Sequence, residues 1–70
     1  MPFVHIDVVR GRDRELLIQL IENVSRTVAD TLDTPIERVR VLINEVDQDL
    51  WGIGGVPYSV ARAVPDGSGT

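Results

Sequence analysis

Between residues 14 and 32 the apolar side chains Leu16, Leu17, Leu20, Ile21, Val24, Val28 and Leu32 recur every three or four positions. That spacing lines them along one side of a helix, as a wide stripe that must be covered by something. The flanking stretches have a different period. From Phe3 to Val9, the residues Val4, Ile6 and Val8 alternate with Phe3, His5, Asp7 and Val9. From Arg38 to Val46, the residues Val39, Val41 and Ile43 alternate with Arg38, Arg40, Leu42 and Asn44. A period of two is the mark of a strand. Strand, helix and strand joined by short connections predict an α/β (α+β) chain: one βαβ unit with parallel strands and a right-handed crossover. The helix covers one sheet face. The other carries Phe3, Val9 and Leu42 among polar groups, and no remaining segment is long enough to cover it.

Local signals set the ends of these elements. Gly11, in Arg10-Gly11-Arg12, turns the chain out of the first strand. Asp13 suits a helix N-cap, and Glu15 suits the positive end of the helix dipole. Asp33-Thr34-Pro35 ends the helix, because a proline disfavours helical geometry at the residue before it. Ile36-Glu37 reads as a short turn and Asp47-Gln48-Asp49-Leu50 as a polar loop with a solvated charge run. Trp51-Gly52-Ile53-Gly54-Gly55 permits a tight, bulged hairpin. Val56 to Ala63 reads as a short strand or turn, and Pro65 to Thr70 has the composition of a disordered tail.

Size bears on assembly. A chain of 70 residues forms one domain at most and buries only about 60% of the surface its unfolded form exposes. Disulfides, a metal or oligomerisation usually support so small a fold. The chain has no Cys and one His, which rules out a disulfide and a structural zinc site. Self-association is what remains. A net charge of −4 and a pI near 4.6 argue against a nucleic-acid or anionic-membrane surface. Without a signal-peptide pattern or a transmembrane run, the expectation is a soluble cytoplasmic protein. All seven basic residues are Arg, whose fork suits carboxylates.

The start of the chain carries the chemistry. Met1-Pro2 runs directly into the first strand. With Met1 removed, the Pro2 ring nitrogen is a free secondary amine, a titratable base in a chain without Lys or Cys. Read alone, Pro2 is an ordinary residue of a frayed terminus.

Together these pieces resemble the 4-oxalocrotonate tautomerase family of small tautomerases. The resemblance rests on Pro2 after Met1, Arg10-Gly11-Arg12, Asp33-Thr34-Pro35, Val39-Arg40-Val41 and Trp51-Gly52-Ile53-Gly54-Gly55, and it spans about residues 2 to 62. It implies a tautomerase domain over residues 1–64, with 65–70 as the tail. It also implies a βαβ unit with a short C-terminal β-hairpin, assembled as a homohexamer (a trimer of dimers) with sites shared between subunits. Pro2 aligns with the family's catalytic base. Arg12 and Arg40 align with the arginines that hold the substrate's carboxylate and carbonyl ends. Val9 aligns with an aliphatic residue at the pocket edge, and Trp51 with an aromatic one that is usually Phe. Arg10 replaces an acidic residue of the best-known members and is expected to add positive charge beside the site.

The implied activity is enol–keto tautomerisation, a 1,3- or 1,5-proton transfer, of a 2-hydroxydienoate or 2-oxo acid such as 2-hydroxymuconate. A base that works at neutral pH should have a pKa close to it; an amine in an apolar pocket among guanidinium groups is pushed that way. Arg40 is the candidate to stabilise charge on the enolate oxygen, and Arg12 to grip the distal carboxylate. No metal or organic cofactor is required, and the expected partner is a small carboxylate. Pro2 and Arg12 are ten residues apart, about 30 Å along an extended strand, so one small acid reaches both only if Arg12 comes from a neighbouring subunit. His5 reads as structural or solvated, and Arg62 as surface or interface. The alternatives are a haloacrylate dehalogenase or hydratase, for which no residue marks itself as a water-activating acid, and a non-catalytic oligomeric binding protein.

Overall fold

The computed structural model describes residues 1–62. Its elements are β1 (Phe3–Val9), α1 (Arg14–Leu32), β2 (Arg40–Val46), β3 (Gly52–Ile53), β4 (Val56–Pro57) and α2 (Tyr58–Ala61), with single 3₁₀ turns at Ile36–Arg38 and Gln48–Leu50. Strands β1 and β2 pair in parallel from Phe3 beside Arg40 to Val9 beside Val46. The Arg40 N–H donates to the Pro2 carbonyl (3.0 Å), and the Arg10 N–H to the Val46 carbonyl (2.8 Å), which extends the ladder at both ends. The expected βαβ unit and C-terminal hairpin are both present. Residues 63–70, which hold the end of the expected domain and its tail, lie outside the described residues.

The second strand begins at Arg40, two residues later than its alternation suggests. Ile36–Arg38 closes a 3₁₀ turn instead, the Arg38 and Val39 N–H groups donating to the carbonyls of Pro35 and Ile36 (both 3.0 Å). A period of two cannot mark that boundary, because Val39 points inward in either conformation. Helix α1 begins after Asp13 as expected, but the Asp13 side chain makes no capping bond; its carbonyl accepts from the Leu16 N–H (3.1 Å). At the other end Asp33 takes the left-handed conformation (φ 53°), and the Thr34 N–H returns to the Ala29 carbonyl (3.0 Å). Asp is one of the few non-glycine residues that visit this region routinely.

Among the described residues only Leu17, Ala29 and Val39 are buried. Leu20, Val24 and Val28 are half-buried on α1, as are Val4, Ile6, Val8, Val41 and Ile43 on the strands. Leu16, Ile21 and Leu32, which belong to the same stripe, stay exposed. The reason is width: two strands spaced about 4.8 Å apart are narrower than the stripe they meet. The far sheet face is open, with Phe3 65% and Leu42 48% exposed. No helix among the described residues is long and apolar enough to cross a membrane.

The hairpin is tight because of Gly54 and Gly55, which take φ of 58° and 87°. Positive φ at both central residues is the type I′ turn that matches the twist of two short strands. After β4 the chain forms the short helix α2 rather than the expected strand or turn. The Tyr58 N–H donates to the Trp51 carbonyl (2.7 Å), closing the hairpin, and the Arg62 N–H returns to the Tyr58 carbonyl (2.9 Å).

Candidate active site

The parallel register brings two of the sequence-predicted residues together at the start of the sheet. Pro2 precedes β1 and is half-buried. Arg40 opens β2 beside Phe3 and is bonded through its N–H to the Pro2 carbonyl. The Arg40 guanidinium folds back on the preceding turn, where Nη1 donates to the Glu37 carbonyl (2.7 Å) and more weakly to that of Val39 (3.4 Å). The side chain is exposed, and only Nη1 makes hydrogen bonds among the described residues.

The other three gather at the opposite end. Val9, Arg12 and Trp51 line one groove of about 200 Å³, together with Asp7, Val8 and Tyr58. Val9 ends β1, Trp51 follows the 3₁₀ turn at Gln48–Leu50, and Arg12 folds back so that Nη1 donates to the Val9 carbonyl (3.1 Å). Val9, Arg12 and Tyr58 also line an adjoining groove with Arg10, Gly11 and Gln48. Ligand pockets usually enclose roughly 300–1,000 Å³, so the groove beside Trp51 is part of a site at most. Seven residue steps, roughly 23 Å along an extended strand, separate Val9 in this groove from Pro2. One chain therefore presents two half-sites too far apart for a single small acid.

The far end is held by a net of polar bonds. Arg10 Nε donates to Asp47 Oδ1 (2.9 Å) and Nη2 to the Glu45 carbonyl (3.4 Å). Gln48 Nε2 donates to the Arg10 carbonyl (3.1 Å), and Ser59 Oγ to Asp49 Oδ1. The charge that Arg10 was expected to add beside the site is set against Asp47. Asp47 and Asp49 are exposed, as expected of a solvated charge run, and each also holds a partner, Arg10 after β1 and Ser59 on α2. Sequence periodicity cannot reveal such pairs, since their members lie 37 and 10 positions apart. Gly11 sits inside this net at φ 141°, with Gln48 Nε2 3.5 Å from where a Cβ would stand.

On the open sheet face Asn44 Nδ2 donates to Asp7 Oδ1 (3.1 Å), and His5 Nε2 lies 3.0 Å from the same oxygen. The Asn44 bond first, and then His5, hold the Asp7 carboxyl below its ordinary value of 3.8. His5 is exposed and close to Asp7, in keeping with the expectation of a structural or solvated residue. Tyr58 and Gln48 line the grooves yet were not picked out from sequence. The one available signal was an aromatic residue just after the glycine hairpin, in a stretch whose α2 helix has no periodicity long enough to detect.

Comparison with known proteins agrees with the fold. The family described as "Tautomerase enzyme" matches residues 2–61. A 2-hydroxymuconate tautomerase of Pseudomonas sp. (strain CF600) is 45% identical over 62 residues, 89% of this chain and 98% of that protein. TomN, a 4-oxalocrotonate tautomerase homologue in the tomaymycin biosynthetic pathway, superposes with a TM-score of 0.87 at 31% identity, covering 91% of this chain and 98% of its own. A heterohexamer 4-oxalocrotonate tautomerase from Chloroflexus aurantiacus J-10-fl superposes with a TM-score of 0.80 at 30% identity, covering 84% and 95%. With its strand–helix–strand unit, its hairpin and this span of likeness, the chain belongs to the tautomerase family of enzymes.

Proposed function

We propose that this tautomerase converts 2-hydroxydienoates such as 2-hydroxymuconate, and related 2-oxo acids, between enol and keto forms, with Pro2 as the general base once Met1 is removed. The Pro2 nitrogen takes the proton from the 2-hydroxyl group. The electrons left on oxygen form the carbonyl as the double bonds shift, and the same proton is returned to carbon, at C3 in a 1,3-transfer or C5 in a 1,5-transfer. Arg40 stabilises the oxygen while it is negative. Arg12 of a neighbouring copy grips the distal carboxylate, and Val9 and Trp51 wall the chain of the acid. Indole is larger than the phenyl usual at that position and adds an N–H donor, so the pocket differs from that of its relatives in shape. The reaction needs no cofactor. We place the enzyme in the cytoplasm, as a homohexamer built as a trimer of dimers. Its partner is a small carboxylate, not a nucleic acid or a membrane.

One observation carries this reading: the strand register sets Pro2 beside Arg40 at one end of the sheet, while Val9, Arg12 and Trp51 share a groove at the other. Two half-sites fit together if copies associate, and the exposed Phe3, Leu16, Ile18, Leu32 and Leu42 give them apolar surface to do so. The haloacrylate reading requires a carboxylate that activates water. Asp7 reaches the groove, but the bonds that hold it ionised also make it a weak base. Halide release from a haloacrylate separates the two chemistries.

The test is ketonisation of 2-hydroxymuconate, followed by absorbance, with protein whose intact mass verifies loss of Met1. Removing a general base typically costs about 10²–10⁴-fold, and Pro2→Ala is expected to lose activity on that scale. A Pro2→Ala protein as active as wild type would sink the assignment. A wild type with a free Pro2 amine and no turnover favours the non-catalytic reading.

A further inference from the structure

We propose that Tyr58 is a specificity-determining residue, its hydroxyl joining Arg12 in recognising a carboxylate at the end of the substrate remote from Pro2. The inference rests on the two-ended site proposed above and adds to it a second, uncharged donor. Only Val9, Arg12 and Tyr58 border both grooves at that end. Val9 has no polar side chain, so Tyr58 is the one neutral side chain with a donor that borders both grooves, whereas Gln48 and Trp51 each border one.

The position of Tyr58 is fixed from several sides. Its N–H is bonded to the Trp51 carbonyl, its carbonyl accepts from Arg62, and the next residue, Ser59, is tied to Asp49. A half-buried aromatic held this way offers its hydroxyl at small entropic cost, having only two side-chain torsions to restrict. None of the side-chain hydrogen bonds among the described residues uses that hydroxyl.

Arg12 lines both grooves and forms no ion pair among the described residues, so its charge stays available to an anion. Asp47 is paired with Arg10, Asp49 is bonded by Ser59, and Asp7 Oδ1 takes Asn44 and His5. Arg12 uses one N–H on the Val9 carbonyl and keeps the rest of its fork. A carboxylate has about four acceptor sites on two oxygens, more than one fork fills. A phenol beside the fork completes the set, and it discriminates a dicarboxylate from an acid that carries a phenyl group at that end.

Trp51 is the only Trp of the chain and lines the groove, so its fluorescence reports occupancy without turnover. The experiment titrates (E,E)-muconate, a planar dicarboxylate, and cinnamate, a planar monocarboxylate, into the full chain and its Tyr58→Phe variant. Phe keeps the ring, and an unchanged circular dichroism melt checks that the fold survives. Loss of a hydrogen bond to a charged group weakens binding by about tenfold or more; that loss is expected for muconate, with cinnamate changed by less than about twofold. In turnover, the Michaelis constant for 2-hydroxymuconate is expected to rise by a similar factor with kcat nearly unchanged, a split that a general packing defect does not produce. Unchanged muconate affinity in Tyr58→Phe, an equal loss for both acids, or a wild type that binds neither overturns the proposal. Binding needs no proton transfer, so a fully active Pro2→Ala variant would remove the proposed base and leave the Tyr58 result standing.

Discussion

The two ends of the β1–β2 sheet are built in different ways. At its start, Pro2 and Arg40 are placed by backbone alone: the strand register and one N–H bond, with the Arg40 side chain resting on carbonyls of its own turn. At its far end, Val9, Arg12, Trp51 and Tyr58 are placed by a clamp of side chains from three segments, through Arg10–Asp47, Gln48–Arg10 and Ser59–Asp49. As the proposed base, Pro2 needs a fixed location and little else, since its reactive atom lies in the backbone of the residue just before the strand. The end proposed to grip the acid needs shape, and shape has to be assembled. Neither end makes a site by itself, and the strand that joins them keeps them roughly 23 Å apart.

The strongest way to break this contrast is to separate the ends genetically. Pro2→Ala and Arg12→Ala should each be nearly inactive. When the two are unfolded together and refolded as a mixture, sites that draw their two ends from different copies regain about a quarter of the wild-type rate, the statistical share of intact pairs in a symmetric assembly. No recovery in a verified mixed oligomer would mean that each chain completes its own site. The next largest effects divide by end. Arg40→Ala removes the donor proposed to stabilise developing charge and is expected to lower kcat by about 10²-fold or more. A separate Arg12→Ala measurement is expected to show mainly a raised Michaelis constant, by about 10- to 100-fold, as a charged hydrogen-bonded grip is lost. Equal kcat losses in both variants would dissolve the division of labour.

A smaller effect probes the scaffold. Gly55→Ala forces a Cβ into φ 87°, with open space around it, so the cost is conformational and on the order of 1–2 kcal/mol. Since β3, β4 and α2 seat Trp51 and Tyr58, the variant should weaken acid binding while leaving the Pro2 end untouched. A lower thermal midpoint with unchanged affinity would show that the hairpin serves stability only.

How much of this was legible before the structure follows the same contrast. Alternation in Phe3–Val9 and around Val41, with the stripe on α1, was enough to predict the parallel strand–helix–strand unit, but a period of two fixes only which residues share a face; the pairing that sets Pro2 beside Arg40 is seen in the structure. The clamp was not legible. Arg10, Gln48 and Ser59 act through partners distant in sequence, and single-turn elements such as Gln48–Leu50 and Tyr58–Ala61 are too short to carry a period. Trp51 was found only through likeness to a family, and Tyr58 was missed because residues 56–63 offer a helix, a strand and a turn nearly equal support. On α1, periodicity says which residues share a face, not how wide the surface opposite them is.

The smallest effect concerns the open sheet face at the edge of the far groove, where Asp7 is held by Asn44 and His5. These bonds lower the Asp7 pKa below the ordinary 3.8, so the folded chain binds this proton less readily than the unfolded chain. A group depressed on folding adds stability above its unfolded pKa, and that stability drains away as pH falls through the folded value. In wild type the contribution should be intact at neutral pH and begin to fade below about pH 4. Asp7→Asn removes the titration but keeps an acceptor for Asn44. Its stability deficit relative to wild type, measured by urea unfolding at a series of pH values, should therefore shrink toward zero on acidification. A deficit that stays constant from neutral pH down to pH 3 would show that the Asp7 charge plays no part in holding β1 to β2, and that the Asn44 bond acts there through geometry alone.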